Sequence, residues 1–446
     1  MKHFILMVAI AAFFNYSTSF GGDFVTNTSQ SPHFFKNPAL GATMGIEGVY
    51  YNPAGLIKLS EGFHFTVGNV SVFQTRTATT TFAPFAESAT TPGVTTREFK
   101  GKTTSPMVPS LYAAYRTGKW AFTGSVSVVG GGGKIKFDDG LPSLESNVAF
   151  ARTQMAPLGA TQYSVTSYME GSSILFGFGL GGTYQINDMF SAHVGLRAVS
   201  AKNGYKGHIM DVKSNPRYAM VDGVPTLVNP DGAMIGISPD AKLDNSQKGF
   251  GITPVIGLNF NHNNLNIGMK YELRTKIDVK NEVKIDNTGM FEDGSKTPYD
   301  MPALLTVGAR YQIIPRLKAS VSYGQFFDKD CNMPNQGEKK LDKGTREYAF
   351  GFEFDINKLF TVSAGYDYTD YSTSEAYLTD QNNFIDNYSI GIGGVIHVSK
   401  NIHINLGYLW GTYISRTEKE QFQGLDMTNV YGRTNNCFAI GVDFSF

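Results

Sequence analysis

The chain has 446 residues, 38 basic and 38 acidic side chains, and a formal net charge of zero. That balance excludes the basic footprint of a nucleic-acid binder and supplies no strong electrostatic steering. Charged residues make up only 17% of a chain with 49 Gly, 33 Phe and 23 Tyr, a composition suited to strands that are apolar on one face.

The first twenty residues read as a secretory signal. Lys2 and His3 precede an apolar run from Phe4 to Phe14, followed by the small residues Ser17-Thr18-Ser19. That run is too short to cross a bilayer, which takes roughly 20 residues, so the mature chain is expected to begin near Phe20 or Gly21. Residues 21–60 carry Asn-Pro-Ala twice, at Asn37-Pro38-Ala39 and Asn52-Pro53-Ala54, among Phe, Tyr, Leu and Ile. Asn-Pro steps favour turns, so both motifs are expected to start short helical turns in a compact plug.

From Gly62 onward the apolar residues alternate with a period of two, which means strands with one greasy and one wet face. Phe63, Phe65 and Val67 open the series. Trp120, Phe122, Val126 and Val128 follow the turn at Thr117-Gly118-Lys119, and Ile174 to Leu180 lead through Asn187-Asp188 into Phe190 to Leu196. Leu265, Ile267, Met269, Tyr271 and Leu273 interleave with Asn266, Gly268, Lys270, Glu272 and Arg274, and the pattern continues to Phe438, Ile440, Val442, Phe444 and Phe446. About 14 strands result, an even number, as in bacterial outer-membrane barrels. Connections after even strands are tight. Those after odd strands are long: 78–107, 130–167, 201–249, 279–301, 325–345, 369–386 and 411–434. Sorting loops by parity is the mark of short periplasmic turns against long outer loops. The predicted fold is therefore all-β: a 14-stranded antiparallel transmembrane β-barrel spanning residues 61–446, with a small N-terminal hatch at 21–60 behind a signal at 1–20. Trp120, Tyr271, Tyr311, Tyr323, Tyr366 and Trp410 are candidates for interfacial girdles. Whether Cys331 and Cys437 pair is open at this level.

The segment "YYNPAGLIKLSEG", Tyr50 to Gly62, resembles the Asn-Pro-Ala-Gly-Leu segment of the FadL-type outer-membrane transporters of long-chain fatty acids and aromatic hydrocarbons. The resemblance extends, as a pattern, through "MVPSLYAAYRTGKWAFTGSVSV" and "FGFGLGGTYQIND". It implies a 14-stranded barrel stoppered by a hatch, an internal apolar pocket, and lateral exit of hydrophobic cargo at an inward kink in the third strand. On this sequence Asn52, Pro53, Ala54 and Gly55 would form the hatch motif and anchor it near the third strand. Gly130, Gly131, Gly132 and Gly133 would form the kink; the other reading of these glycines is the start of a loop. The connection 201–249, with Tyr218, Met220, Val224, Leu227 and Ile235, is the candidate for part of an outer capture groove.

A carboxylate cargo needs a cation in the lumen. The stretch "AVSAK" resembles a family segment that nominates Lys202, although strict alternation puts Lys202 on the outward parity. Arg197, Lys270, Arg274 and Lys318 fall on the inward register, where pairing with Glu272, Glu353 or Asp367 is the competing expectation. No Gly-x-Ser-x-Gly, His-Glu-x-x-His or phosphate-loop pattern is present, so no enzyme, cofactor or metal is expected. Expected partners are hydrophobic small molecules, outer-membrane lipids and lipopolysaccharide, and the barrel assembly machinery, whose recognition signal the terminal Phe446 resembles. A general porin and an attachment or shuttle component of a secretion system are the alternative functions.

Overall fold

The computed structural model describes residues 31–446; the expected signal, and the first ten residues of the expected hatch, lie outside them. Fourteen strands form the barrel wall. They are β1 (Gly62–Phe82), β2 (Thr96–Thr117), β3 (Trp120–Phe137), β4 (Tyr163–Gln185), β5 (Phe190–Ser214), β6 (Ala241–His262) and β7 (Leu265–Glu272). The second half comprises β8 (Leu304–Ile314), β9 (Leu317–Phe326), β10 (Arg346–Asp355), β11 (Phe360–Asp370), β12 (Asn387–His397), β13 (Ile402–Tyr413) and β14 (Leu425–Ser445). Each pairs antiparallel with the next, and β14 closes on β1 with Phe65 opposite Phe444. Closure is what lets strands face lipid, because it leaves no unpaired edge.

The alternation sorts side chains as the sequence requires. On β7, Ile267 and Met269 are exposed while Asn266, Lys270 and Glu272 are buried. Leu180, Val194, Ile252, Val321, Phe350, Ile392 and Ile440 carry the same exposed apolar belt around the wall. A continuous belt of this extent is foreign to a water-facing surface. Above it runs an aromatic ladder: Tyr323–Tyr348, Tyr366–Tyr388 and Tyr388–Trp410 have ring centroids 5.3, 6.2 and 6.0 Å apart. Trp120 and Tyr184, 4.6 Å apart, mark the opposite rim.

The predicted outer loops are shorter than expected because the strands run further. β5 has 25 residues, whereas a tilted crossing needs roughly 9–11. The surplus stands outside the bilayer, where polar residues such as Thr75 to Thr81 occupy both faces and the alternation disappears. The segment 201–249 is thus mainly paired strand, and its tip is an exposed hairpin of Tyr218–Val221 against Val224–Leu227. Tyr218, Met220, Val224, Leu227 and Ile235, the candidates for the capture groove, all stand exposed there.

Residues 31–61 lie inside the barrel as α1 (Pro32–Lys36), α2 (Gly48–Tyr51) and a 3-10 helix, Pro53–Lys58. Pro53 starts its helix with the φ that a first turn needs. Asn37 ends α1 and starts no helical turn, in contrast to the expectation; its Oδ1 accepts from the Ala39 N–H at 3.1 Å, an Asx turn. The segment fits because the facing wall is glycine. A Cβ added to Gly308 would sit 2.6 Å from the Gly41 carbonyl carbon, and one on Gly391 would sit 2.9 Å from the Phe35 oxygen.

Candidate functional site

Asn52 is fully buried and donates from Nδ2 to the Thr43 carbonyl and to Asn259 Oδ1 on β6, both at 2.8 Å. Asn266 on β7 donates to the Ala42 carbonyl at 2.9 Å. The Pro53 carbonyl accepts from Thr183 on β4 at 2.8 Å, and the Ala54 carbonyl from Ser191 on β5 at 2.7 Å. At Gly55 any Cβ would strike the Asn52 amide and the Thr43 carbonyl. The polar partners of the motif therefore lie on β4 to β6, while its 3-10 helix also packs against the third strand.

A second tether is ionic. Glu272 on β7 pairs with Arg197 on β5 and with Lys270 at 2.7 Å, and Lys270 donates to the Tyr50 carbonyl at 2.8 Å. The Tyr50 ring lies 4.7 Å from the Lys270 Nζ and 5.7 Å from the Arg197 guanidinium. All three charged residues are at most 6% exposed. Charges this deep persist only when paired and hydrogen-bonded, so Arg197 and Lys270 are committed to Glu272 and the plug. The other two nominated cations lie away from this cluster. Lys202 is exposed on the outward face of β5, as its parity dictates. Arg274 donates to the Asp330 carbonyl and pairs with Asp300 at 3.5 Å, among the outer connections.

The wall between β2 and β3 is broken. Pairing runs from Thr117–Trp120 to Ser110–Ser127 and resumes only at Thr103–Ile135. Two prolines, Pro106 and Pro109, sit in the interval on β2 and have no N–H to donate. Against β1 the register slips between Val70–Val108 and Val72–Ser105. That bulge is held by Ser71 Oγ and Asn69 Nδ2, which donate to the Pro106 carbonyl at 2.8 and 3.2 Å.

On β3, residues 128–133 face only residues 173–176 of β4, with shifts on either side of Gly130. Gly131 and Gly133 both have φ of +84°, a left-handed conformation that a residue with a Cβ resists. Ser127, Val128, Val129 and Gly130 are buried in succession, so the strand gives up its outward face here. Val129 packs with Tyr112, Leu175 and the plug residues Leu40, Tyr50 and Tyr51. The four glycines thus lie within a strand, not in a loop, and the kinked strand touches the plug. The sequence signal overlooked for this break was the pair of prolines on β2.

A cavity of about 90 Å³ opens at Gly132 and Gly133, lined also by Gln74, Arg76, Thr103, Phe137, Tyr205 and Tyr299. It lies below an outer cap built on α3 (Pro142–Gln154). Val148 and Ala149 of α3 pack with Phe82, Phe85, Phe99, Phe422 and Met427. The cap is also tied by polar groups: Glu145 pairs with Arg97 and accepts from Tyr163 OH at 2.9 Å, and Asp380 accepts from the Ser143 N–H at 2.8 Å. Burial pushes both carboxyls above their ordinary range, with Arg97 opposing the effect at Glu145. Cys331 and Cys437 are unpaired thiols, both buried.

No family model matches the chain, and no curated protein matches it in sequence. Solved structures do. A FadL homologue of Pseudomonas aeruginosa superposes with a TM-score of 0.65 at 14% identity, over 96% of this chain and 100% of its own. The toluene transporter TbuX of Ralstonia pickettii gives 0.57 at 16% identity over 94% and 99% of the two chains. The Pseudomonas putida toluene transporter TodX gives 0.58 at 14% identity over 95% and 99%. Strand number, closure and internal plug together place this chain in the fold shared by the FadL homologue and these toluene transporters.

Proposed function

We propose that the chain is an energy-independent outer-membrane channel for hydrophobic small molecules, which leave sideways between β2 and β3 rather than through the stoppered bore. The observation that carries this reading is the juxtaposition of the unpaired stretch with the cavity at Gly132 and Gly133. An apolar cargo gains about 0.8 kcal/mol per methylene kept out of water, so an exit into lipid is the downhill route. A plug with both ionic and amide tethers to β4–β7 opposes passage along the barrel axis. The cavity is smaller than the ~150 Å³ that admits benzene elsewhere, so cargo entry requires its lining to move. Contact between Val129 of the kinked strand and Tyr50 and Tyr51 of the plug gives a way for plug movement to widen it. Cargo in this reading covers compact aromatic hydrocarbons and fatty acids, a long acyl tail threading the gap.

Gly132 offers the test. A Cβ there meets nothing within 4 Å, and its φ lies outside the left-handed range, so Gly132→Trp should fill the exit without disturbing the wall. Cells or proteoliposomes carrying the variant should lose uptake of a hydrophobic probe while the barrel assembles normally. Undiminished uptake would place the route elsewhere.

A further inference from the structure

Four lysines line up across the outer wall. Lys202 on β5 stands directly opposite Lys248 on β6, and Lys248 opposite Lys280 on the strand Asp278–Asp286. Lys280 in turn stands opposite Lys296 on the short strand Lys296–Pro298. All four are exposed. Like charges directly opposite one another are destabilising in a sheet, yet this register places them side by side on four successive strands. Further out, β5 and β6 match opposite signs instead, with Lys206 facing Asp244 at 3.2 Å. The carboxylates nearest in register are Glu282, which pairs with Lys248 at 2.8 Å, and Asp278, on the same face as Lys280. Among the described residues, Lys202, Lys280 and Lys296 form no ion pair.

The height of the row points to what meets it. Phe190 to Ser200 on β5, and Phe260 to Phe250 on β6, each supply the roughly 9–11 residues of a tilted crossing. Lys202 and Lys248 are the next outward side chains, above the exposed Phe250 and Ile252. The ammonium groups therefore stand at the level of the outer lipid head groups, and the apolar residues beneath them face acyl chains. Adjacent strands lie about 4.8 Å apart, so the row extends roughly 14 Å, room for more than one phosphate. Lysine binds phosphate as a compact point charge.

We propose that Lys202, Lys248, Lys280 and Lys296 bind the head group of an outer-leaflet lipid that carries two phosphates, with Phe250 and Ile252 against its acyl chains. The phosphates neutralise the repulsion built into the row. The site lies on the outer wall and does not depend on the cargo or its route.

The test uses the purified full-length barrel in a non-ionic detergent, titrated with diphosphoryl lipid A, its monophosphoryl form and phosphatidylethanolamine, and read by native mass spectrometry. The parent should bind the diphosphoryl form most tightly and phosphatidylethanolamine least. Lys202→Gln, Lys248→Gln, Lys280→Gln and Lys296→Gln combined should weaken diphosphoryl binding by on the order of a hundredfold, each lysine at a lipid surface being worth about fivefold. The same change at Lys339, Lys340, Lys343 and Lys358, exposed elsewhere, should leave binding at the parent level. Equal losses in the two variants would overturn the site, as would equal affinity of the parent for the three lipids. Displacement of the lipid by millimolar inorganic phosphate would assign the row to a free anion and overturn the lipid. The comparison of lipids on the parent decides the matter if the quadruple variant does not assemble.

Discussion

A staple across the wall break tests whether the gap must widen for transport. A Cβ built on Gly133 lies 3.4 Å from the Cβ of Ser105, close to the roughly 3.5–4.5 Å that a disulfide spans. Ser105→Cys with Gly133→Cys would therefore link β2 to β3 at the edge of the unpaired stretch, and Cys331→Ala with Cys437→Ala removes competing thiols. Gly133 has φ of +84°, so a Cβ there costs about 1–2 kcal/mol. Closing a loop of about 28 residues contributes roughly 3–4 kcal/mol, so the oxidised barrel should be more stable than the reduced one by about that amount, and than the parent by about 2 kcal/mol. The assay is uptake of a hydrophobic probe into proteoliposomes, before and after oxidation and again after dithiothreitol. Uptake should fall to the protein-free level on oxidation and return on reduction. A fully cross-linked barrel, verified by mass, that still takes up the probe would refute the reasoning.

Glu272→Gln should release the plug. It leaves Arg197 and Lys270 buried without their counter-charge, a loss of about 3–5 kcal/mol. Ion conductance in planar bilayers should rise above that of the parent; an electrically silent variant with unchanged unfolding temperature would contradict the tether. Asp328, in the connection after β9, has its carboxyl pushed up to about 6 by burial, against hydrogen bonds from Thr345. The unfolded chain releases that proton near 3.9, so between about pH 4 and 6 the folded state holds more protons and stability falls as pH rises. Asp328→Asn keeps an acceptor for the Thr345 N–H, which lies 2.6 Å from the carboxylate. Its unfolding temperature should match the parent near pH 4 and exceed it at pH 7; parallel curves would show that Asp328 is not the group responsible.

The tight-turn ends of the strands were readable from sequence. There the lipid-facing and lumen-facing residues alternate and Gly-Lys, Asn-Asp or Asn-rich turns punctuate them. The outer ends were not, since beyond the bilayer polar residues occur on both faces of β1, β2, β5 and β6 and the sequence alternation carries little contrast. Arg76 falls just past the apolar alternation of β1 and Arg433 in a segment read as loop, so neither entered the set of lumen cations. Lys202 was readable by parity, and its exposure on β5 follows that parity rather than the family resemblance.

The sequence alone determined a closed barrel and a non-strand leading segment, because a period of two depends only on neighbours along the chain and on which solvent each face meets. Tertiary structure decided which charges meet: Glu272 neutralises residues on two strands, while Arg433 faces Arg76 from the far end of the chain. It also decided that inward glycines would be sockets for the plug backbone and that two prolines on β2 would meet a kink on β3. These outcomes depend on contacts between residues distant in sequence, and register, which a one-residue slip would invert, exists only once the barrel has closed.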